Sequence, residues 1–290
     1  MRGVVMRRGA AFSPVLSAFV SLAIAALTVA VLAPAAPAQT PDAKPEMKEG
    51  CPGLVADNAP RPIPAAFRLA ALGADQVRIT YVGHATFLIE SPTLVRIATD
   101  YNDFVRPPVT PDIITMNHAH STHYTDHPDP AIKHVLRGWR DDGAPADHDV
   151  TLGDVRVRSV STNIRDWGGG TERNGNSIFV FEIAHLCIAH LGHLHHTLTQ
   201  QQLDQIGRVD IVMAPVDGNY TLDLEGMIEV LRSIKAQMII PMHFFSAYTL
   251  DRFLSRMRES YPVATNETPS IVVSKTTLPA APTIVVLPGH

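Results

Sequence analysis

The feature that most constrains the fold is a change in hydrophobic periodicity part-way along the chain. From Val77, apolar and polar residues alternate in short segments such as "VRITYVGHATFLIES", "DVRVRSVST" and "SIFVFEIAHLCIAH". Alternation with a period of two predicts β-strands. Beyond residue 196 the apolar spacing becomes helical in "TLTQQQLDQIG", "LEGMIEVLRSIKA" and "TLDRFLSRMRESY", with strand-like segments between them. Strands in hairpins followed by alternating helices and strands favour a layered α/β fold in which helices cover the sheets.

Individual segments give more specific predictions. "VRITYVGHATFLIES" and "TLVRIATDY" predict two adjacent strands, and "SIFVFEIAHLCIAH" predicts two strands around a tight turn near Ala184 and His185. "PDIITMNHAH" predicts a buried strand that ends at histidines. The last helical segment places four apolar side chains on one inner face: Leu250, Phe253, Leu254 and Met257.

The first 38 residues have the organisation of a secretory signal. Arg2, Arg7 and Arg8 precede an apolar run from 15 to 32, and "APA" at 36–38 is typical of a cleavage site. We expect a periplasmic or secreted protein, with residues 39–76 as an N-terminal linker and 77–290 as one large domain. The alternative is an uncleaved anchor, which is the one case in which we expect contact with a membrane.

Removal of that segment takes three arginines from the 24 basic residues, which leaves 21 against 28 acidic residues and a net charge of −7. This balance does not favour nucleic acid as a partner. The two cysteines, Cys51 and Cys187, do not form a disulfide framework. They are either bridged or two separate thiols.

Histidines are concentrated at predicted strand ends. Nine of the 14 fall in two windows, 118–127 and 185–196, and His243 follows the strand-like "MIIPM". Loops at one edge of an α/β sheet converge, so these side chains can meet there. Imidazole nitrogens suit zinc and other transition metals. The pattern therefore predicts a metal site.

Five segments in order, "YVGHATFLIES", "MNHAHSTH", "IAHLGHLHH", "VDIVMAPVDGNYT" and "IIPMHFF", resemble the metallo-β-lactamase-fold hydrolases. The similarity is to the branch related to sugar-phosphate lactonases and phospholipid-cleaving phosphodiesterases, and it extends from about Val77 to Tyr261. It implies an α/β fold of the four-layer αββα sandwich type, with one or two metal ions at one edge.

This chain departs from the family motif at three positions. Thr122 stands where an aspartate ligand is expected in H-x-H-x-D-H, "NIR" at 163–165 lacks the middle histidine, and His193 replaces a bridging aspartate. Fewer anionic ligands disfavour two adjacent cations, so we expect one divalent transition metal, with zinc preferred. The resemblance implies as its ligands His118, His120, His193 and His243, with His123 able to join or replace one of them.

Other residues are candidates for supporting roles. If the chain turns helical after Ser121, Asp126 lies near the site as a general base or an orienting group; alternatively it caps the loop before Pro128. The resemblance places His84 at the floor of the cavity and His196 in the loop, with His195 as a solvated neighbour. Asp217 and Tyr220 follow a strand where loops line clefts. Tyr220 either contacts substrate or belongs to a hinge in which Thr221 caps the next helix.

These observations favour an exported metal-dependent hydrolase that acts on a small-molecule ester, lactone, amide or phosphodiester through metal-activated water. The alternative is a non-catalytic binding or scavenging protein with a degenerate metal site. No G-x-S-x-G motif, dinucleotide fingerprint or P-loop is found in the sequence.

Overall fold

Two β-sheets face each other across a shared apolar core. The computed structural model describes residues 71–117, 120–166 and 168–289, which lie in one compact unit spanning Pro64–His290. The predicted signal segment, most of the predicted linker, and Cys51 lie outside the described residues. The first strand begins at Gln76, next to the predicted start of the domain at residue 77.

Fourteen strands are found in the described residues. In chain order they are β1 Gln76–Gly83, β2 Thr86–Glu90, β3 Arg96–Ala98, β4 Ile113–Met116, β5 His134–Arg137, β6 Asp149–Leu152, β7 Val155–Arg165, β8 Thr171–Ile183, β9 Leu186–His190, β10 Ile211–Pro215, β11 Met238–Met242, β12 Val263–Thr265, β13 Ser270–Ser274 and β14 Thr283–Val286. Two adjacent strands were predicted from "VRITYVGHATFLIES" and "TLVRIATDY". The structure has three strands there, because the chain turns back at His84 between β1 and β2. The tight turn predicted at Ala184 and His185 joins β8 to β9.

The strand order brings several carboxyl ends to one edge. The first sheet has the order β13-β1-β2-β3-β4-β5, and the second has β12-β14-β11-β10-β9-β8-β7-β6. In the second sheet β9, β10 and β11 are parallel neighbours, so their carboxyl ends lie side by side. All five residues of β10 and of β11 are buried, as expected of strands covered on both faces.

Three helices follow the pattern predicted from the spacing: α1 Gln200–Ile206, α2 Leu224–Ile234 and α3 Ala247–Met257. On α3 the predicted inner face is confirmed, with Phe253, Leu254 and Met257 buried and Leu250 half-buried against the same core. Thr221 does not cap α2. The cap is Asp223, whose side chain accepts a hydrogen bond from the Gly226 amide.

Apolar packing defines the layers, and the predicted α/β sandwich is confirmed. A central core that includes Phe87, Phe179 and Phe181 fills the space between the sheets. A second core lies between the second sheet and the three helices. On the outer face of the first sheet, a smaller cluster around Tyr101 and Ile132 is covered by loops in the described part of the chain.

Within residues 71–117, 120–166 and 168–289, no helix has the length and apolar character needed to span a bilayer.

Candidate metal centre

Three histidines from different strand ends meet where the carboxyl ends converge. His123 follows β4, His193 follows β9 and His243 directly follows β11. His123 Nε2 lies 2.8 Å from His193 Nδ1 and 3.2 Å from His243 Nε2. All three side chains are almost fully buried, with at most 1% of their surface exposed. The structure thus gathers three imidazole nitrogens at one point away from solvent.

A buried carboxyl group stands behind His123. Asp100, just after β3, lies 2.6 Å from His123 Nδ1 through Oδ2, and its Oδ1 accepts a hydrogen bond from the Asn117 amide. Burial raises the pKa of Asp100 to about 7. A cation on the far side of the imidazole would favour the ionised carboxylate, since opposite charges attract.

A second buried carboxyl group stands behind His243. Asp217 Oδ1 lies 3.1 Å from His243 Nδ1, although the angle is not that of a hydrogen bond. Asp217 Oδ2 accepts hydrogen bonds from the backbone amides of Asn219, Tyr220 and Thr221, and the Thr221 hydroxyl donates to Oδ1. Burial alone would raise the pKa of this carboxyl, but His243, Thr221 and the amides outweigh it and lower the pKa below its ordinary value. Asp217 is therefore held as an anion.

The two carboxyl groups decide which ring nitrogens face the centre. A carboxylate beside Nδ1 favours a proton on that nitrogen, which leaves the lone pair on Nε2. With both rings in this tautomer, two lone pairs face each other across the 3.2 Å between His123 and His243. That approach is repulsive unless a cation lies against both atoms. Carboxylate, imidazole and metal in series is the usual arrangement behind a histidine ligand.

An open cleft of about 860 Å³ leads to the three histidines. Its walls are His84, His120, Thr122, Ile164, Arg165, Asp166, Glu172, His193, His195, Asn219, Tyr220, His243 and Phe245. The Nε2 atoms of His84 and His193 are buried yet have no hydrogen-bond partner. Buried polar atoms without partners are costly, so their presence at one cleft indicates a ligand that accepts lone pairs.

Electrostatics keeps these imidazoles neutral. Burial is the largest cause, followed by neighbouring histidines, and together they lower the pKa of His123 and of His193 well below the ordinary value. Burial, with His243 adding to it, lowers the pKa of His84 to about 3. Neutral imidazoles keep the lone pairs that a transition metal requires. The donor set therefore fits a divalent transition metal.

The loop after β9 depends on a glycine. Gly192 has φ +61°, and a Cβ placed there would overlap the side-chain amide of Asn117. That amide cannot move aside, because it donates to the Ser177 carbonyl at 2.5 Å. Asn176 Oδ1 accepts the His193 backbone amide at 2.9 Å. The close approach of the two loops thereby sets the position of His193.

The predicted ligands are brought together in large part. His120, His123, His193 and His243 converge, with the rings of His120 and His193 4.7 Å apart; His118 lies outside the described residues. Asp217 stands behind His243, whereas Tyr220 lies at the cleft rim with 59% of its surface exposed. His196 is half-buried next to His195 and does not line the cleft.

The structure does not bring Asp126 to the centre. The prediction required a helix after Ser121, but the chain forms turns there, and the Thr125 hydroxyl accepts the His127 amide. As a result Asp126 points to solvent, 67% exposed, with Arg137 3.6 Å away. It is neither a base nor an orienting group in this structure.

Two residues have roles that the sequence did not reveal. His195 is not a solvated neighbour; it is only 6% exposed, and its Nδ1 accepts the backbone amide of Arg165 at 2.6 Å. Burial, aided by the charge of Arg165, lowers the pKa of His195 to about 4. The Arg165 guanidinium donates to the backbone carbonyls of Asn219, Tyr220 and Thr221. Arg165 thus ties the end of β7 to the loop carrying Asp217.

Similarity to known proteins agrees with this architecture. Residues 78–243, more than half of the chain, match the sequence profile described as a β-lactamase superfamily domain. The chain belongs to the β-lactamase superfamily. Several relatives similar in sequence are named UPF0173 metal-dependent hydrolases. The one from Thermoplasma volcanium is 27% identical over 195 residues, covering 58% of this chain and 83% of the relative. The one from Archaeoglobus fulgidus is 25% identical over 200 residues, covering 58% and 83%.

A solved structure of the superfamily is also similar. It is a Thermotoga maritima protein proposed to be a Zn-dependent hydrolase, 29% identical, with a TM-score of 0.55 and coverage of 74% of this chain and 100% of that chain. The resemblance to the metallo-β-lactamase fold noted in the sequence is thereby confirmed.

Proposed function

We propose that this protein is a hydrolase that depends on one divalent transition metal, with zinc preferred, and that it acts on a small-molecule ester, lactone, amide or phosphodiester. The observation that carries the proposal is the pair His123 and His243, each backed by a buried carboxyl group, with their Nε2 atoms 3.2 Å apart at the end of a cleft. The names of the Thermoplasma and Archaeoglobus relatives support it.

In this proposal His123, His193 and His243 hold the metal, and His120 and His118 are the further candidates from the sequence. A divalent ion held by imidazoles lowers the pKa of a water molecule and polarises the substrate oxygen. Asp100 and Asp217 orient the rings. Asp166 and Glu172 are the carboxylates that line the cleft in the described residues, and Asp166 accepts the amides of Gly168 and Gly170.

The cleft wall also suggests which part of a substrate it receives. Tyr220 and Phe245 are each 59% exposed, and their rings meet edge to face with centroids 5.5 Å apart. Exposed aromatic rings beside a polar centre are typical of a surface that binds an apolar group. We propose a substrate with an apolar substituent next to the bond that is cleaved, and we propose export to the periplasm or beyond.

A non-catalytic binding role is the second candidate. Thr122 and His193 stand where the family has acidic ligands, so the centre lacks anionic groups that bind a second ion. A single weakly held metal, or none, would suit a protein that only captures its ligand.

Metal content and hydrolysis distinguish the two candidates. We expect protein purified without an affinity tag to contain about one equivalent of divalent metal. A chelator should abolish cleavage of a panel of aryl esters, lactones and bis-aryl phosphodiesters, and zinc should restore it. His243→Gly removes one imidazole at φ +56°, where glycine is favoured, and should lose both metal and activity.

The matched control is His127→Ala, an exposed histidine from the same segment as His123, which should keep both. A folded parent protein that takes up no divalent metal would contradict the hydrolase proposal. Bound metal without cleavage of any member of the panel would favour the binding role.

A further inference from the structure

We infer that His84 is a direct ligand of the metal, so that this chain holds its ion with an imidazole from the β1–β2 turn in addition to those of His123 and His243. The inference rests on the proposed metal dependence and extends it to a residue that the sequence motif does not include. Its support comes from the backbone, from the ring nitrogens, and from the charge of the centre.

The backbone at His84 is held in an unfavourable conformation. His84 has φ +53°, in the left-handed region that non-glycine residues rarely adopt because it strains their backbone. His243 has φ +56°, and its amide donates to the His84 carbonyl at 2.8 Å. The Tyr81 hydroxyl donates to the same carbonyl at 3.0 Å. Glycine would adopt this backbone conformation without strain. The presence of histidine therefore points to a role for its imidazole.

The ring nitrogens of His84 face the other ligands. Its ring centroid lies 4.2 Å from that of His243 and 5.2 Å from that of His123. One ring nitrogen from each of the three residues lies within 4.8 Å of the others. His84 Nε2 is buried without a hydrogen-bond partner. The three nitrogens therefore lie close together at the end of the cleft.

His190 shows what a structural histidine looks like in the same region. It is fully buried, yet its Nε2 lies 2.8 Å from the Ala85 carbonyl and its Nδ1 accepts the Gly192 amide at 3.2 Å. Both of its nitrogens are used within the fold, whereas His84 leaves Nε2 without a partner. His84 combines that unpartnered nitrogen with a place in the cleft wall beside His243.

The charge of the centre explains why an additional imidazole is useful. Where other members of the superfamily place aspartates, this chain has Thr122 and His193, so the metal must be held by neutral donors. Imidazole donors favour Zn²⁺, Co²⁺, Ni²⁺ and Cu²⁺ over Mg²⁺, Ca²⁺ and Mn²⁺, which prefer oxygen. A site that includes His84 should therefore discriminate strongly against the oxygen-preferring ions.

The test is His84→Gly in the full chain, titrated with Co²⁺ and followed by its visible absorption. Glycine suits the left-handed backbone, so the variant loses the imidazole without new strain. The matched control is His185→Gly. His185 also has a positive φ, +66°, in the two-residue turn between β8 and β9, but it is exposed and does not line the cleft.

We expect His84→Gly to weaken Co²⁺ binding by about 100-fold or more, beyond the 10–100-fold typical of residues behind the ligands. Its Co²⁺ spectrum should change, and added imidazole should restore the parent spectrum by occupying the vacated space. His185→Gly should bind as the parent does. A His84→Gly spectrum identical to that of the parent overturns the inference at any affinity. If the parent itself binds no Co²⁺, the proposed function fails instead.

Discussion

At the residue scale, the negative charge of the candidate metal centre is carried by carboxyl groups that lie behind its histidines. The donors that converge are imidazoles, and the two buried carboxyl groups, Asp100 and Asp217, contact His123 and His243 from the far side. When ionised, these two groups carry the same amount of charge as one divalent cation. The acidic groups nearest the centre thus lie across the imidazole rings from it.

The Asp100→Asn variant tests this arrangement. An amide keeps the shape of the side chain but not its charge, so His123 loses its anionic partner. We expect metal affinity to fall by roughly 10–100-fold, as is usual when a group behind a histidine ligand is altered. Isothermal titration with Zn²⁺ measures the change.

The control for that variant is Asp210→Asn. Asp210 is also buried, but it precedes β10, at the opposite end from the metal centre, where it contacts Lys275 and the Cys187 amide. Its substitution should leave zinc affinity within about threefold, since it contacts no ligand. Equal losses in the two variants would show that the effect is general destabilisation.

These carboxyl groups were only partly predictable from the sequence. Asp217 was a candidate because it follows a strand-like segment, and the structure places it behind His243. Asp100 was not, because a lone aspartate after a short strand gives no sign of its partner, and His123 is 23 residues away. His84 was predicted only to lie at the floor of the cavity, since a left-handed backbone conformation cannot be recognised from the amino-acid sequence.

At the element scale, the loops after β4 and β9 are pressed together at the edge of the two sheets. Hydrophobic periodicity predicted β8, β9 and the three helices well, because the burial of one face determines the spacing of apolar residues along the sequence. A helix after Ser121 was the condition for placing Asp126 near the site, and the chain forms turns there instead. Local hydrogen bonds such as that of Thr125 decide the course of such a loop and leave no periodic signal in the sequence. Asp126 was therefore assigned to a site that it does not reach.

The Gly192→Ala variant tests how tightly these loops meet. Alanine would adopt a left-handed backbone at φ +61° and would overlap Asn117 and Asn176. We expect the free energy of unfolding to fall by about 2–4 kcal/mol, combining backbone strain with overpacking. Urea denaturation of the metal-free protein measures it.

Gly143→Ala separates the two contributions. Gly143 has φ +70°, but nothing lies within 4 Å of a Cβ placed there. Its substitution should cost only the strain, about 1–2 kcal/mol. If both variants lose the same stability, the loops have room to separate and the close approach does not position His193.

At the scale of the whole molecule, the sequence predicts that the chain is exported from the cytoplasm. The basic start, the apolar run and "APA" at 36–38 carry that prediction. The remaining chain has a net charge of −7, which suits a protein that stays dissolved and does not adhere to anionic surfaces.

N-terminal sequencing of the mature protein should begin near Gln39. Ala38→Phe should block cleavage and yield a longer, membrane-retained chain, because the cleavage site requires a small residue. An intact chain that starts at Met1 in the cytoplasm would falsify the export prediction.

The separation of the histidines along the chain has a consequence for assembly. His123 belongs to the first sheet, whereas His193 and His243 belong to the second, 70 and 120 residues further on. An ion bound by all three histidines would link the two sheets of the sandwich. The three ligands come together only after the two sheets have packed, so the free energy of metal binding stabilises a chain that has already folded. Bound metal should therefore make the folded chain more resistant to proteases than the metal-free chain.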